Sequence, residues 1–143
     1  MRTSVALVFL AIGCLALSGR ADDAKDKKTD DPPTIQELNT KGLRSKLPRN
    51  PVTKPFVIRD GKELAKVFAD EADQAALGKQ ADLDKQFLLL FSWSGSGQDM
   101  LAHQERDGKV VFKYTRGLTR DLRYHVKLYA LKKGASWAVE MNR

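Results

Sequence analysis

Five consecutive large apolar residues, Phe87 to Phe91, constrain the fold more than any other stretch of the chain. The run is too short to cross a bilayer as a helix, which needs about 20 residues. Periodicity alone does not separate a buried strand from a short buried helix, but the Ser and Gly residues that follow favour a strand. The sequence therefore predicts a central strand that is buried on both faces.

The chain is predicted to leave this strand through a flexible loop after Trp93. Glycines permit backbone angles that other residues resist, and such loops expose backbone amides to anions. The candidate binding residues here are Gly95, Ser96, Gly97 and Gln98. The alternative is a plain connection between strands. A dinucleotide-binding fingerprint needs a third Gly and a following helix, and this stretch has neither.

Alternating apolar and polar residues downstream predict an antiparallel sheet with one face on a core and one in water. The predicted strands are 99–106, 109–116 and 122–131, with an edge strand formed by Trp137, Val139 and Met141. Asp107-Gly108 is a strong signal for a two-residue hairpin turn. The residues of the third strand expected to face inward are Leu122, Tyr124, Val126, Leu128 and Ala130.

A short strand and a capped helix are predicted before the apolar run. The strand is Phe56-Val57-Ile58, and Asp60 with Glu63 three residues later matches a capping box. Leu64, Val67 and Phe68 recur at helical spacing and give the helix one apolar stripe. The expected fold class is α+β, a mainly antiparallel sheet of about five strands packed with one or two short helices.

The first 21 residues have the pattern of a secretory signal peptide. Arg2 precedes an apolar stretch, and Gly19-Arg20-Ala21 places small residues where a signal peptidase acts, so cleavage is expected after Ala21. The alternative is a lipoprotein signal with a lipidated Cys14, the only cysteine. Cleavage after Ala21 removes two arginines and no acid, which lowers the net charge from +7 to +5.

Residues 22–50 are predicted to be a disordered, charged and Pro-rich linker, followed by a single domain over 51–143. Residues 22–31 contain no large apolar side chain and cannot bury enough surface to become ordered. A short helical turn is predicted within 34–43, and an extended chain within 45–55 because of its three prolines. We interpret the linker as a tether that holds the domain off a surface.

The basic composition indicates attraction to anionic surfaces. Lys109, Lys113, Arg123 and Lys127 lie on the polar side of alternating segments, and pairing of those strands would create a basic face. Such a face would bind a phosphate, an acidic polysaccharide or an acidic protein; the alternative is that exposed Lys only prevents edge-to-edge aggregation. Lys113, Arg123, His125 and Lys127 therefore join the candidate binding residues. Nucleic acid is not expected, because the chain is predicted to be exported and has no RNA-recognition motif.

The two histidines are the basis of an alternative function as a small hydrolase or metal-binding protein. His103 and His125 would meet Asp99 and Glu105 only if their strands were neighbours, and a zinc site needs three or four ligands. Ser94 or Ser96 would serve as a nucleophile in the Ser94–Asp99 loop, but no nucleophile-elbow motif is present. We therefore expect no catalytic residue, no metal and no cofactor.

A hydrophobic pattern and several short sequence motifs recur in order over roughly residues 56–133: Val57-Ile58, Ala81-Asp82-Leu83-Asp84-Lys85, Phe87 to Phe91, Ser94 to Gln98, Arg123-Tyr124-His125 and Lys132-Lys133. In this order they resemble the PrcB C-terminal-like domain family, secreted bacterial proteins associated with a protease complex. The family often has a Gly-Gly-Tyr-like loop where this chain has Gly95-Ser96-Gly97-Gln98-Asp99. The resemblance implies an exported domain that binds or stabilises a partner protein, and it supplies no catalytic residues.

Together these features predict a small exported binding or structural domain that engages a partner protein in the cell envelope or outside the cell. It is not expected to span a membrane once the signal is removed.

Overall fold

The computed structural model describes residues 32–142. The predicted signal peptide, Cys14 and the first ten residues of the predicted linker lie outside the described residues. The described part contains two helices and seven strands. In chain order they are β1 (Ile35–Leu38), β2 (Phe56–Ile58), α1 (Gly61–Val67), α2 (Glu71–Gly78), β3 (Gln86–Ser96), β4 (Met100–Arg106), β5 (Lys109–Thr115), β6 (Leu122–Lys132) and β7 (Ser136–Asn142).

The strands form two sheets, and the helices cover one of them. A four-stranded antiparallel sheet has the order β1-β6-β3-β2, and a three-stranded sheet has the order β4-β5-β7. The β4–β5 pair is antiparallel and the β5–β7 pair is parallel. The predicted α+β class with mainly antiparallel strands is therefore confirmed, although the described residues form seven strands where about five were expected.

Strand β3 lies in the middle of these layers, which explains its continuous apolar run. Leu88 and Leu90 pack into a core with the helices, and Leu89 and Phe91 pack into a second core with the three-stranded sheet. All four side chains are almost completely buried. Because neighbouring residues of a strand point to opposite faces, each of residues 88–91 faces one core or the other, which explains why this stretch is uniformly apolar.

The predicted capping box at the start of α1 and the predicted hairpin turn between β4 and β5 are both confirmed. The Asp60 side chain accepts a hydrogen bond from the Glu63 backbone N–H at 2.8 Å, and the Glu63 side chain accepts one from the Arg59 N–H at 2.7 Å. Asp107 and Gly108 connect β4 to β5 with φ angles of 52° and 72°. Both angles are positive, as a tight two-residue hairpin turn requires.

The helical turn predicted within 34–43 is wrong, because residues 35–38 form β1 and pair with β6. Leu38 is 3% exposed and belongs to the core beneath the helices. The local sequence does not indicate β1, because a strand of four residues carries little periodicity. Its stability comes from the backbone of β6, which is about 90 residues away.

Residues 39–50 also contact the folded domain, unlike the tether that the sequence predicted. The Asp73 carboxylate accepts hydrogen bonds from the backbone N–H groups of Arg44 and Ser45. The Ser45 hydroxyl and these two backbone donors lower the pKa of Asp73 more than its burial raises it. Farther along, the Asn50 N–H donates to the Ser92 carbonyl at 2.9 Å. The segment therefore crosses from β1 to the other side of β3.

The faces of β6 also differ from the prediction near its start. Leu128 and Ala130 are buried as expected, but Leu122 is 79% exposed and Tyr124 is also exposed. The four-stranded sheet is only two strands wide at that point, so the beginning of β6 extends beyond the helices and the flanking strands.

In residues 32–142, no helix has the length and apolarity needed to span a bilayer.

Replacing Phe91 by Ala should lower the free energy of unfolding by about 3–5 kcal/mol, because a large buried ring is removed. Phe91 is fully buried, with its ring centroid 4.8 Å from that of Phe112. Urea denaturation measures the change. Leu118→Ala is the control, since Leu118 is 93% exposed and should change stability by less than about 0.5 kcal/mol. A loss below about 1 kcal/mol for Phe91→Ala would contradict its place in the core.

A chain that begins at Pro51 should lose cooperative thermal unfolding, whereas one that begins at Pro32 should keep it. The chain that begins at Pro51 lacks β1 and residues 39–50, so the core beneath the helices loses Leu38. In the full chain, Leu38→Ala alone should cost about 2–4 kcal/mol. Circular dichroism melts compare the two lengths. Equal midpoints would show that residues 32–50 add nothing to stability.

Candidate functional site

The candidate site is the part of the β3–β6 pair that extends beyond its neighbours. Strand β2 pairs with β3 only at residues 88–90, and β1 pairs with β6 only at residues 128–131. The β3–β6 pairing continues without interruption to Ser96 and Leu122. We call residues 91–96 of β3 and 122–127 of β6 the projecting ribbon.

Seven of the eight predicted binding residues lie on the projecting ribbon or in the turn that follows it. Gly95 and Ser96 belong to β3, which corrects the prediction that a loop begins at Ser94, because pairing with β6 keeps these residues extended. Gly97 and Gln98 form the turn into β4, closed by a hydrogen bond from the Asp99 N–H to the Ser96 carbonyl. The remaining three are Arg123, His125 and Lys127 of β6.

Lys113 lies elsewhere, and the predicted basic face does not form. Lys109 and Lys113 are on β5, whereas Arg123 and Lys127 are on β6, and these strands belong to different sheets. Lys113 is opposite Ala102 and Glu140 in the register of the three-stranded sheet. Alternation predicts which face a residue occupies, but it does not determine which strands become neighbours.

The two cations on the ribbon have acidic partners. Lys127 forms an ion pair with Glu37 of β1. The Arg123 Nε atom lies 2.9 Å from an oxygen of Asp121. Surface pairs of this kind contribute little to stability, so their consequence is mainly to orient the side chains.

A buried carboxylate, Asp99, joins the projecting ribbon to the three-stranded sheet. Its Oδ2 atom accepts hydrogen bonds from the Trp93 indole N–H at 3.0 Å and the Tyr114 hydroxyl at 2.7 Å. Its Oδ1 atom accepts one from the Gly117 backbone N–H at 2.8 Å. Three strong donors satisfy the charge, which a buried carboxylate requires. The sequence placed Asp99 at the start of a strand and gave no signal of this network.

The network changes the pKa values of both acidic groups in it. Burial raises the pKa of Asp99, but the donors from Gly117, Tyr114 and Trp93 and the nearby His125 outweigh it and lower the pKa overall. Burial and the hydrogen bond to Asp99 raise the pKa of Tyr114 to about 12. Asp99 is therefore ionised and Tyr114 protonated at neutral pH.

Two glycines allow the chain to come close enough for this network. A Cβ atom at Gly95 would overlap the Asp99 carboxylate. A Cβ atom at Gly117 would lie 2.6 Å from the backbone carbon of Gln98, closer than packed atoms come. Glycine at these positions is thus explained by close approach and not by an unusual φ angle.

The histidines occupy separate environments. The His125 ring stacks on Trp93 with centroids 4.8 Å apart, and its Nε2 atom lies 2.8 Å from the Ser96 carbonyl oxygen. His103 contacts the rings of Phe112 and Tyr129. Within residues 32–142, no three His, Cys, Asp or Glu residues converge in a way that could hold a metal ion.

Among residues 32–142, Asp99 accepts hydrogen bonds from Trp93, Tyr114 and Gly117, and no hydrogen bond joins its carboxylate to His103 or His125. The Ser96 hydroxyl pairs with that of Thr119.

Residues 116–121, which connect β5 to β6, form the other half of the site. Hydrogen bonds hold both ends of this loop: Gly117 donates to Asp99, and Asp121 accepts from the Gly97 N–H at 3.1 Å. The Thr119 hydroxyl and then Arg123 and Gly97 lower the pKa of Asp121 far below its usual range. The sequence indicated only a connection here.

The loop presents apolar and cationic side chains beside a cleft of about 1000 Å³. Leu118 is 93% exposed, and Leu122, which the sequence placed inside, is 79% exposed. Arg116 and Arg120 alternate with these leucines along the cleft wall. Neither arginine takes part in the ion pairs Arg106–Asp107, Arg123–Asp121 and Lys127–Glu37. The arrangement can bind a ligand that is both apolar and acidic.

Asp99→Asn should lower the free energy of unfolding by about 2–4 kcal/mol at pH 7, because the amide keeps the shape but loses the charge that its donors require. The folded-state pKa of Asp99 is below the unfolded one, so this stabilisation is complete above about pH 4 and is lost as the pH falls through the folded-state value. The difference in the free energy of unfolding between the wild type and Asp99→Asn should therefore become smaller at acidic pH.

Urea titrations at neutral and acidic pH measure this narrowing. Asp107→Asn, at the exposed hairpin turn, is the matched control and should change stability by less than about 0.5 kcal/mol. A difference that stays constant below about pH 4 would show that the charge of Asp99 is not the stabilising feature.

Comparison of the chain with family models, curated proteins and solved structures finds no match. The resemblance to the PrcB C-terminal-like domain family stays a prediction.

Proposed function

We propose that this chain is an exported binding domain that engages a partner protein through the projecting ribbon and the loop 116–121. The observation that carries the proposal is the exposure of Leu118, on a loop whose ends are fixed by hydrogen bonds, and of Leu122, the first residue of β6, beside the same cleft. Exposed large apolar side chains that lie together are typical of interaction surfaces. A loop that is already ordered loses little entropy on binding, which favours affinity.

The charges of this surface favour an acidic partner segment. Arg116 and Arg120 line the cleft next to the leucines, and Arg49 lies with its guanidinium carbon 5.0 Å from the ring centre of Tyr124. Arginines and aromatic rings are the residues most often found at the energetic centre of protein interfaces. An acidic and partly apolar segment would pair with both kinds of side chain.

A small hydrolase has less support. The carboxylate that would orient a catalytic histidine is occupied by Trp93, Tyr114 and Gly117, and His103 packs against aromatic rings. Exposed leucines beside the cleft have no part in such chemistry, whereas a binding domain accounts for them directly.

The proposed location is outside the cytoplasm, in the cell envelope or the medium. Its support is the signal-peptide pattern of residues 1–21, with Ala21 as the last residue removed. Lipidation at Cys14 is the alternative, which would anchor the same domain to a membrane surface. The resemblance to the PrcB C-terminal-like domain family implies the same kind of role.

Capture experiments with the chain that begins at Asp22 test this function. The wild type should retain one dominant protein from the envelope or secreted fraction of its own source, at both low and high salt. Leu118→Ser combined with Leu122→Ser should weaken retention about tenfold or more, because the apolar contacts are lost. Arg116→Glu combined with Arg120→Glu should slow association and reverse its salt dependence.

Lys62→Glu combined with Lys66→Glu is the control, since both lysines are exposed on α1, away from the cleft. It should retain the same protein as the wild type. Retention that is equal for the wild type and both cleft variants would contradict this surface as the binding site. A wild-type chain that retains no protein at either salt concentration would contradict the proposed function.

A further inference from the structure

The outer edge of β6 is covered along only half of its length. Strand β1 pairs with residues 128–131, and in the described chain no strand pairs with residues 122–127 on that side. The Lys132 N–H donates to the Thr34 carbonyl at 3.0 Å, which shows that the even-numbered residues of β6 turn their backbone groups toward this edge.

Alternation along the strand then determines which groups are free. The backbone groups of Leu122, Tyr124 and Val126 should point to the open edge, while those of Arg123 and His125 pair with β3. Three N–H and three C=O groups in a row are a template for another strand. The register of β3 with β6 runs without a bulge, and the open stretch contains no Pro, so neither of these common blocks is present.

Side chains border the open edge on both faces. Toward the three-stranded sheet lie two cavities of about 770 and 320 Å³, and His125 lines both. The first also contains Arg120 and Arg123, and the second lies between Lys127 and the start of β4. These cavities give an added strand room for alternate side chains.

On the opposite face of the strand, the Tyr124 ring is exposed under the guanidinium of Arg49. An added strand would therefore meet an aromatic ring on one face and cations on the other.

The charges around the edge identify the kind of occupant. Arg49, Arg120, Arg123 and Lys127 border it, against the carboxylates of Asp121, Glu37 and, in the smaller cavity, Asp99, which leaves one positive charge in excess. A second copy of this chain would bring the same cations together, and like charges placed opposite each other destabilise a strand pair. An acidic segment would instead be attracted.

We propose that an acidic, extended segment of the partner protein adds to the four-stranded sheet as a new strand beside residues 122–127 of β6, in line with β1. This inference rests on the proposed function and specifies how the same site binds. The open stretch of six residues accommodates about 20 Å of extended chain. Backbone hydrogen bonds would supply affinity, and the bordering cations would supply specificity.

Amide hydrogen exchange in the free protein tests the open edge directly. The Tyr124 and Val126 amides should exchange quickly, whereas the Arg123 and His125 amides, which pair with β3, should be protected. Equal protection of all four, or the reverse pattern, would overturn the inference.

Model peptides of about seven residues test the occupant. The first alternates Asp or Glu with Val, the second replaces each acid by Lys, and two further acidic peptides carry N-methyl groups on alternate amides. The acidic peptide should bind about tenfold tighter than the basic one and protect the Tyr124 and Val126 amides. Only one of the two N-methylated peptides should lose binding, because a strand pairs through alternate amides.

Matched charge variants separate specificity from general attraction. Arg123→Glu combined with Lys127→Glu should weaken the acidic peptide about tenfold. Lys109→Glu combined with Lys113→Glu, which makes the same charge change on the other sheet, should have little effect. Equal effects of the two pairs, or binding of the acidic peptide without protection of the edge amides, would overturn the inference.

The two proposals fail in different ways. If the captured partner binds and depends on Leu118 and Leu122 but leaves the Tyr124 and Val126 amides unprotected, the added strand is wrong and the binding function stands. If no protein is captured but the acidic peptide protects these amides, the binding edge stands and the proposed function is wrong.

Discussion

The pairing of β3 with β6 is the interaction on which the rest of the structure depends. It extends over eleven residues, and the apolar side chains of both strands supply the centre of both cores. The helices pack on one face of this pair and the three-stranded sheet on the other, so each outer layer is stabilised by burying the same two strands. The flanking strands β1 and β2 have only four and three residues and depend on the central pair for their backbone hydrogen bonds.

The same pairing creates the candidate site, because it continues past the strands that flank it. A two-stranded ribbon has little stability by itself. Asp99 accepts hydrogen bonds from Trp93 of the ribbon, Tyr114 of the three-stranded sheet and Gly117 of the loop 116–121, and so connects these three parts. The consequence is an exposed surface that is also fixed in shape. Open backbone groups, leucines and arginines are presented on a rigid framework, which is the physical basis of both proposals made for this protein.

Predictions from the sequence succeeded where a residue's conformation is decided by its neighbours in the chain. Asp60 and Glu63 cap a helix because their side chains reach backbone groups within four residues. Asp107-Gly108 forms a hairpin turn because those residues tolerate positive φ angles. The central strand was predicted correctly because an uninterrupted apolar run is stable in a strand only when both faces of that strand are buried. Seven of the eight predicted binding residues lie at one end of the β3–β6 pair, and their role in binding stays a prediction.

The sequence by itself determined the fold class, the central strand and the capped helix, since these depend on local periodicity and turn chemistry. Only the tertiary structure decided that residues 35–38 form a strand, that Leu122 is exposed and that Lys113 is far from Arg123. Alternation of apolar and polar residues specifies which face of a strand a side chain occupies. Which strand becomes its neighbour, and how far the neighbouring elements extend along it, depend on contacts between distant parts of the chain. The Asp99 network and the open edge of β6 arise from those contacts, and so no local pattern predicted them.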